Sequence, residues 1–193
     1  MSTWTDLLAA VYEHTKRPDL VANTSTALRT ATRMAHRSGR YYRDLTETTL
    51  VLTLAEVQEV DLPSFAPNFR QVASLYPRER PDLQFSHVDI ADLIDHDGYL
   101  KTNVYWGIGN LLRIRAAAPV EQYTLAYLRQ PVVSTEASYS SWVAEEYPDA
   151  VVLPAASIVL RNIGESEIAG RLEGLAAIAM QDVISDNLQI EAF

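Results

Sequence analysis

Leu7, Leu8, Val11 and Tyr12 recur at helical spacing, and Thr3 with an acid three residues on, Asp6, forms a capping signal ahead of them. The pattern predicts a first helix ending near Lys16-Arg17-Pro18, because the residue before a proline avoids the helical region. Leu20, Val21, Thr24, Leu28, Ala31 and Ala35 predict a second helix of about 18 residues, with Gly39 placed to end it. The two are expected to form an antiparallel pair.

After Gly39 the period changes. Leu45 to Leu54 is rich in β-branched residues near alternation and predicts a strand. Phe69 to Tyr76 is a second strand, fenced by Pro63 and Pro67 before it and by Pro77 and Pro81 after it. Asp89 to Asp95 is expected as a short helix. Asn103 to Arg115 predicts a hairpin around Gly107-Ile108-Gly109-Asn110, and Tyr123 to Arg129 a further strand stopped by Pro131.

Helical spacing returns at Ser140. Ser140 to Tyr147 predicts a short helix, and Pro148 suits the first turn of the next one. Val151, Val152, Ala155, Ala156, Val159 and Leu160 form its buried face and Gly164 its end. Pro154 inside it implies a kink or a later start. Ile168, Leu172, Leu175, Ala176 and Met180 predict a last helix over about Glu165 to Ile184. The expected fold is α+β. Residues 1–43 and 140–186 form one helical bundle, 44–139 a central antiparallel β lobe at one end, and 187–193 an extended C-terminal tail.

Composition narrows the class. With 193 residues, 48% hydrophobic, seven Gly and nine Pro, the chain has enough apolar content for a core and too little linker composition for disorder. No cysteine means no disulfide, thiolate metal site or Cys nucleophile. No run of about 18 apolar residues predicts a membrane span, and the first residues lack a secretory pattern, so the chain is expected to stay where it is made. The net charge of −9 repels nucleic acid on average. Its distribution says more. Residues 1–43 hold seven basic and three acidic side chains, and residues 134–193 hold two and ten. Such ends can pair within one chain or between copies.

Three groups carry candidate chemistry. His87, Asp89, Asp92, Asp95, His96 and Asp97 are metal-ligand types in a short span. A metal-dependent hydrolase or lyase using the His87–Asp97 cluster, with His87, Asp89, Asp92 and His96 as ligands, is therefore one reading. Asp95-His96-Asp97-Gly98 is also an ordinary polar turn. Arg29, Arg33 and Arg37, four apart, share a helix face, with Arg40 just beyond. That face is solvated, contacts the acidic C-terminal helices of another copy, or touches DNA phosphates as a small regulator would. Tyr41-Tyr42 and Tyr139-Ser140-Ser141-Trp142 put aromatics at the helix–sheet junctions, where packing is their expected role. No nucleotide loop, nucleophile elbow, kinase set or paired-carboxylate signature is present, so a non-catalytic protein without a cofactor or a bound metal is expected.

The opening Trp4-Thr5-Asp6-Leu7-Leu8, Val11-Tyr12 and Thr15-Lys16-Arg17-Pro18-Asp19-Leu20-Val21 resembles the start of head-to-tail adaptor (connector, tail tubular protein A-like) proteins of tailed bacteriophages. Thr26-Ala27-Leu28-Arg29, Tyr41-Tyr42-Arg43-Asp44-Leu45, Tyr139-Ser140-Ser141-Trp142-Val143, Tyr147-Pro148-Asp149-Ala150-Val151-Val152 and Ile163-Gly164-Glu165 continue the likeness, which is weakest over 55–100. The resemblance implies a structural role in the virion neck, with assembly in the host cytoplasm. A ring, commonly of twelve copies, would sit under the portal protein, with the sheet lobe facing a tail nozzle or tail tube protein. Genomic DNA would pass through without sequence reading, and no membrane would be involved. The C-terminal segment would grip the portal, with Leu188, Ile190 and Phe193 as its apolar anchors. Arg29, Arg33, Arg37 and Arg40 are the expected contact between subunits.

Overall fold

A computed structural model describes residues 3–94 and 98–187. In chain order the elements are α1 (Trp4–Thr15), α2 (Val21–Arg37), β1 (Leu45–Val51), β2 (Gln58–Asp61), α3 (Leu62–Phe65), β3 (Phe69–Pro77), β4 (Ser86–His87), β5 (Val104–Ile108), β6 (Leu111–Arg115), β7 (Gln122–Arg129), α4 (Trp142–Glu146), α5 (Asp149–Asn162) and α6 (Ser166–Asp186). The chain is α+β and divides into two units. One comprises the described residues up to Asp44 and from Gln130 onward; the other is Leu45–Arg129.

In the helical unit, local signals set the helix ends. Thr3 accepts from the Asp6 backbone N–H at 3.2 Å, and the Asp6 carboxylate accepts from the Thr3 N–H at 2.9 Å, a complete capping box. α1 stops because Lys16 turns left-handed at φ +53° ahead of Pro18. α2 ends at Arg37, two residues short of Gly39; there the Ser38 hydroxyl donates to the Ala35 carbonyl at 2.7 Å. α5 starts directly after Pro148 and runs through Pro154, so the proline does not delay its start. Beyond it, Gly164 at φ +90° lets its own N–H reach the Arg161 carbonyl and the Glu165 N–H reach that of Leu160. That is a Schellman stop, which joins α5 to α6 with almost no connecting chain.

α5 organises this unit: α1, α2 and α6 all pack on it. Its Ala150, Val151, Ala155, Ala156 and Val159 are fully buried, together with Leu7 and Val11 of α1, Leu28 and Ala31 of α2, and Ala169 and Val183 of α6. α1 and α2 touch each other far less than either touches α5. The expected pair is therefore held together through α5. Each of the two has one apolar stripe to bury, whereas α5 is apolar nearly all round.

The sheet unit holds a three-stranded antiparallel sheet, β1-β7-β3, and a four-stranded sheet, β2-β6-β5-β4, in which only the β4–β5 pair is parallel. Leu50, Val60, Leu75, Phe85, Ile114, Tyr123 and Leu125 form one core shared by both sheets. β5 and β6 meet through a two-residue turn, Gly109-Asn110, with Ile108 opposite Leu111. Gly109 takes φ +59°, as the first position of a type II′ turn requires. Gln58 is buried with its amide satisfied: it donates to the Thr53 and Val120 carbonyls and accepts from the Tyr123 hydroxyl. The expected strand over Leu45–Leu54 ends at Val51, and the helix expected over Asp89–Asp95 is a single tight turn, Ile90–Asp92. β2, α3 and β4 are too short, at two to four residues, to show a period in the sequence.

Candidate functional site

The arginines of α2 have separate surroundings. Arg29 is half-buried, its guanidinium 5.5 Å from the Trp4 ring centre. Arg33 is exposed. Arg37 is exposed and donates to the Gln130 side-chain oxygen at 3.5 Å. Neither Arg33 nor Arg37 meets a carboxylate among the described residues. Arg40, past the helix end, is half-buried. Arg43 does meet the acidic C-terminal part: its guanidinium bonds both Glu146 carboxylate oxygens and lies over the Trp142 ring at 4.5 Å. That partnership lowers the Glu146 carboxyl below its ordinary range.

Beneath this surface the structure brings together three residues that sequence spacing never linked. The two Asp44 carboxylate oxygens lie 2.9 and 3.0 Å from His36 Nδ1. His36 Nε2 lies 3.0 Å from Ser141 Oγ. With Nδ1–H donating to the carboxylate, Nε2 accepts the Ser141 hydroxyl proton, and Ser141 Oγ in turn accepts the Ala144 N–H at 3.1 Å, capping α4. Trp142 Nε1 donates to Asp44 at 2.9 Å. Carboxylate, imidazole and hydroxyl are ordered as in an acyl-transfer triad. Yet the three side chains are 2–3% exposed, and the serine oxygen is already engaged as a helix cap. No substrate carbonyl reaches such an oxygen. The chain of bonds ties the end of α2 and the Tyr42–Asp44 turn to the start of α4, and Tyr41, 5.2 Å from the Trp142 ring, packs against the same joint. Tyr139 reinforces it, with its ring 5.0 Å from Trp4 and its hydroxyl 2.8 Å from that of Thr32. Burial pushes the Tyr139 hydroxyl pKa up.

The remaining candidates lie elsewhere. His87, Asp89 and Asp92 are exposed, and the His87 ring packs 5.4 Å from Tyr105. Asp95, His96 and Asp97 lie outside the described residues, among which no three His, Asp or Glu side chains are grouped to hold a metal ion. Leu188, Ile190 and Phe193 also lie outside the described residues. The segment joining β4 to β5 exposes Ile90, Ile94, Tyr99 and Leu100. A shallow surface cavity of about 370 Å³ is lined by Leu54, Pro77 and Gln122 together with three ionisable side chains, Glu79, Arg80 and Glu121. No described helix is long and apolar enough to cross a membrane.

No family model matches the chain, and no curated protein matches it. Among the described residues, the surface carries a basic face on α2, where Arg33 and Arg37 are exposed, and an exposed apolar loop on the sheet unit.

Proposed function

We propose that the protein is a structural head-to-tail adaptor of a tailed bacteriophage. Copies close into a ring, twelve in the reading favoured here, that joins the portal to the tail and lines the DNA channel. The observation that carries this reading is charge left unspent within one chain. The sequence separates a basic N-terminal part from an acidic C-terminal part, and Arg43–Glu146 joins them. Arg17 pairs with its neighbour Asp19. Arg33 and Arg37 on α2, and Glu165 and Asp182 at α6, have no ionic partner among the described residues. Opposite charges on different faces of one chain suit a heterologous contact, which closes into a ring when the rotation allows.

Three further features support the reading. Ile90, Ile94, Tyr99 and Leu100 give the sheet unit an apolar loop suited to a tail-side partner. The sequence ends in Leu188, Ile190 and Phe193 at near alternation, a pattern that adds as a strand or lies in a groove of a portal. The net charge of −9 keeps passing phosphates from adhering.

The test is to mix the purified chain with a portal protein from the genome that encodes it and measure the mass of the assembly; a genome without a portal gene overturns the reading at once. A portal carrying a full ring of copies is expected. Removing residues 188–193, which keeps Asn187 and its bond to the Val183 carbonyl, should abolish docking and leave a folded monomer. A portal that gains no mass, or a truncated chain that docks normally, overturns the corresponding part of the reading.

A further inference from the structure

α6 is apolar on two faces and packed on one. Ala169, Leu172, Ala176 and Val183 face the core. Turned by roughly a quarter of the helix, at 100° per residue, a second stripe follows the same spacing: Ile168, Arg171, Leu175, Ile178 and Asp182. Ile168 is 45% exposed, Leu175 53% and Ile178 63%. A helix apolar over this much of its girth is normally covered on both sides. The stripe carries its own charge pattern. Arg171 is taken by Glu167 on the same helix, leaving Asp182 on the stripe without a cation among the described residues.

The outer face of α2 is the complement. Thr26, Thr30, Arg33, Met34 and Arg37 are exposed along it, Met34 at 56%. It offers small side chains at its centre, one exposed thioether and two cations with no carboxylate. We propose that the α6 stripe of one copy seats on this α2 face of the next. Leu175 and Ile178 pack against Thr30 and Met34, and Asp182, one turn beyond Ile178, meets Arg33 and Arg37, which lie one turn apart on α2. The occupant is a second copy because both charge patterns are left unmatched on the same chain. The pairing deepens the ring reading and rests on it, since it requires copies to meet head to tail.

One helix stripe is small beside a standard interface of about 800 Å² per partner. The contact is therefore weak in solution, and the test captures it covalently. The chain has no native cysteine, so a short bis-maleimide links only introduced thiols. Arg33→Cys and Ile178→Cys are both at exposed positions and should leave the fold intact by circular dichroism. At millimolar chain concentration, each single variant should remain monomeric under the linker. Their mixture should give a dimer and nothing larger, and the double variant should give a ladder of oligomers. A double variant that stays monomeric overturns the pairing, as does a single variant that links to itself, which signals a two-fold contact. An Ile178→Cys chain that links to a portal thiol in place of Arg33→Cys assigns the stripe to the portal and also overturns it. A ladder without portal docking keeps this contact and discards the adaptor reading; docking without a ladder does the reverse.

Discussion

Replacing His36 with Ala tests whether the buried Asp44–His36–Ser141 chain serves stability. The substitution removes the imidazole between a carboxylate and a hydroxyl that are each 2–3% exposed. Asp44 loses a partner at 2.9 Å and Ser141 loses one at 3.0 Å. The imidazole bridges the two, and a buried polar group that loses its partner typically costs about 1–3 kcal/mol, here at both ends, although Asp44 keeps the bond from Trp142 Nε1. The missing ring leaves a void as well. Against a total stability of about 5–15 kcal/mol, that is a large share. In a chain of this size it lowers Tm on the order of 10 °C. Asp44→Asn keeps the shape and can still accept from Trp142 Nε1, so its cost should be smaller, about 1–2 kcal/mol. Urea unfolding followed by circular dichroism and tryptophan fluorescence gives both values. The His36→Ala/Asp44→Ala double variant should cost less than the sum of its single variants. A His36→Ala loss below about 1 kcal/mol, or strictly additive single variants, refutes the argument that these groups act as one buried unit.

Ser141→Ala should cost about 1–2 kcal/mol through the lost α4 cap, and hydrolysis of an activated ester should be the same before and after; serine-dependent turnover would reverse the structural reading of this group. Lys16→Gly should raise stability by about 0.5–1 kcal/mol, because a lysine at φ +53° carries left-handed strain that glycine does not. Conversely, Gly164→Ala at φ +90° should lose about 1–2 kcal/mol in the same urea assay. Acid should weaken the fold as well. Thr3 lowers the Asp6 carboxyl, Arg17 that of Asp19, and Arg43 that of Glu146. A carboxyl whose folded value lies below its unfolded one adds stability at neutral pH and loses it as pH falls through the folded value. The urea midpoint should decline below about pH 4, and Glu146→Gln should make that decline shallower.

Much of the helical unit could be read along the chain. Thr3 and Asp6 announced the start of α1, and the apolar spacing of α2 and α5 matched the faces they bury, whereas that of α6 mixed the buried Leu172 and Ala176 with the exposed Ile168 and Leu175. The Gly-x-Gly-Asn hairpin and the strands at Phe69 and Tyr123 were also visible. Gly39 follows the Ser38 C-cap directly, at the position just past the helix where the sequence placed it. The candidate surfaces were half visible. The arginine spacing placed a basic face on α2, but the period could not tell that Arg29 would lean on Trp4 while Arg33 stayed open.

What the sequence determined by itself is what neighbours within a few residues decide: caps, stops, turn types and the period of each stripe. These depend on backbone sterics and on hydrogen bonds that close over three or four positions. Only the tertiary structure decided that α5 would bind the other helices, that His36 would find Ser141 across 105 positions, and that one of two apolar faces of α6 would be left uncovered. Those outcomes come from a competition for burial among all the elements at once. A stripe records that it is apolar and does not record which partner reaches it first.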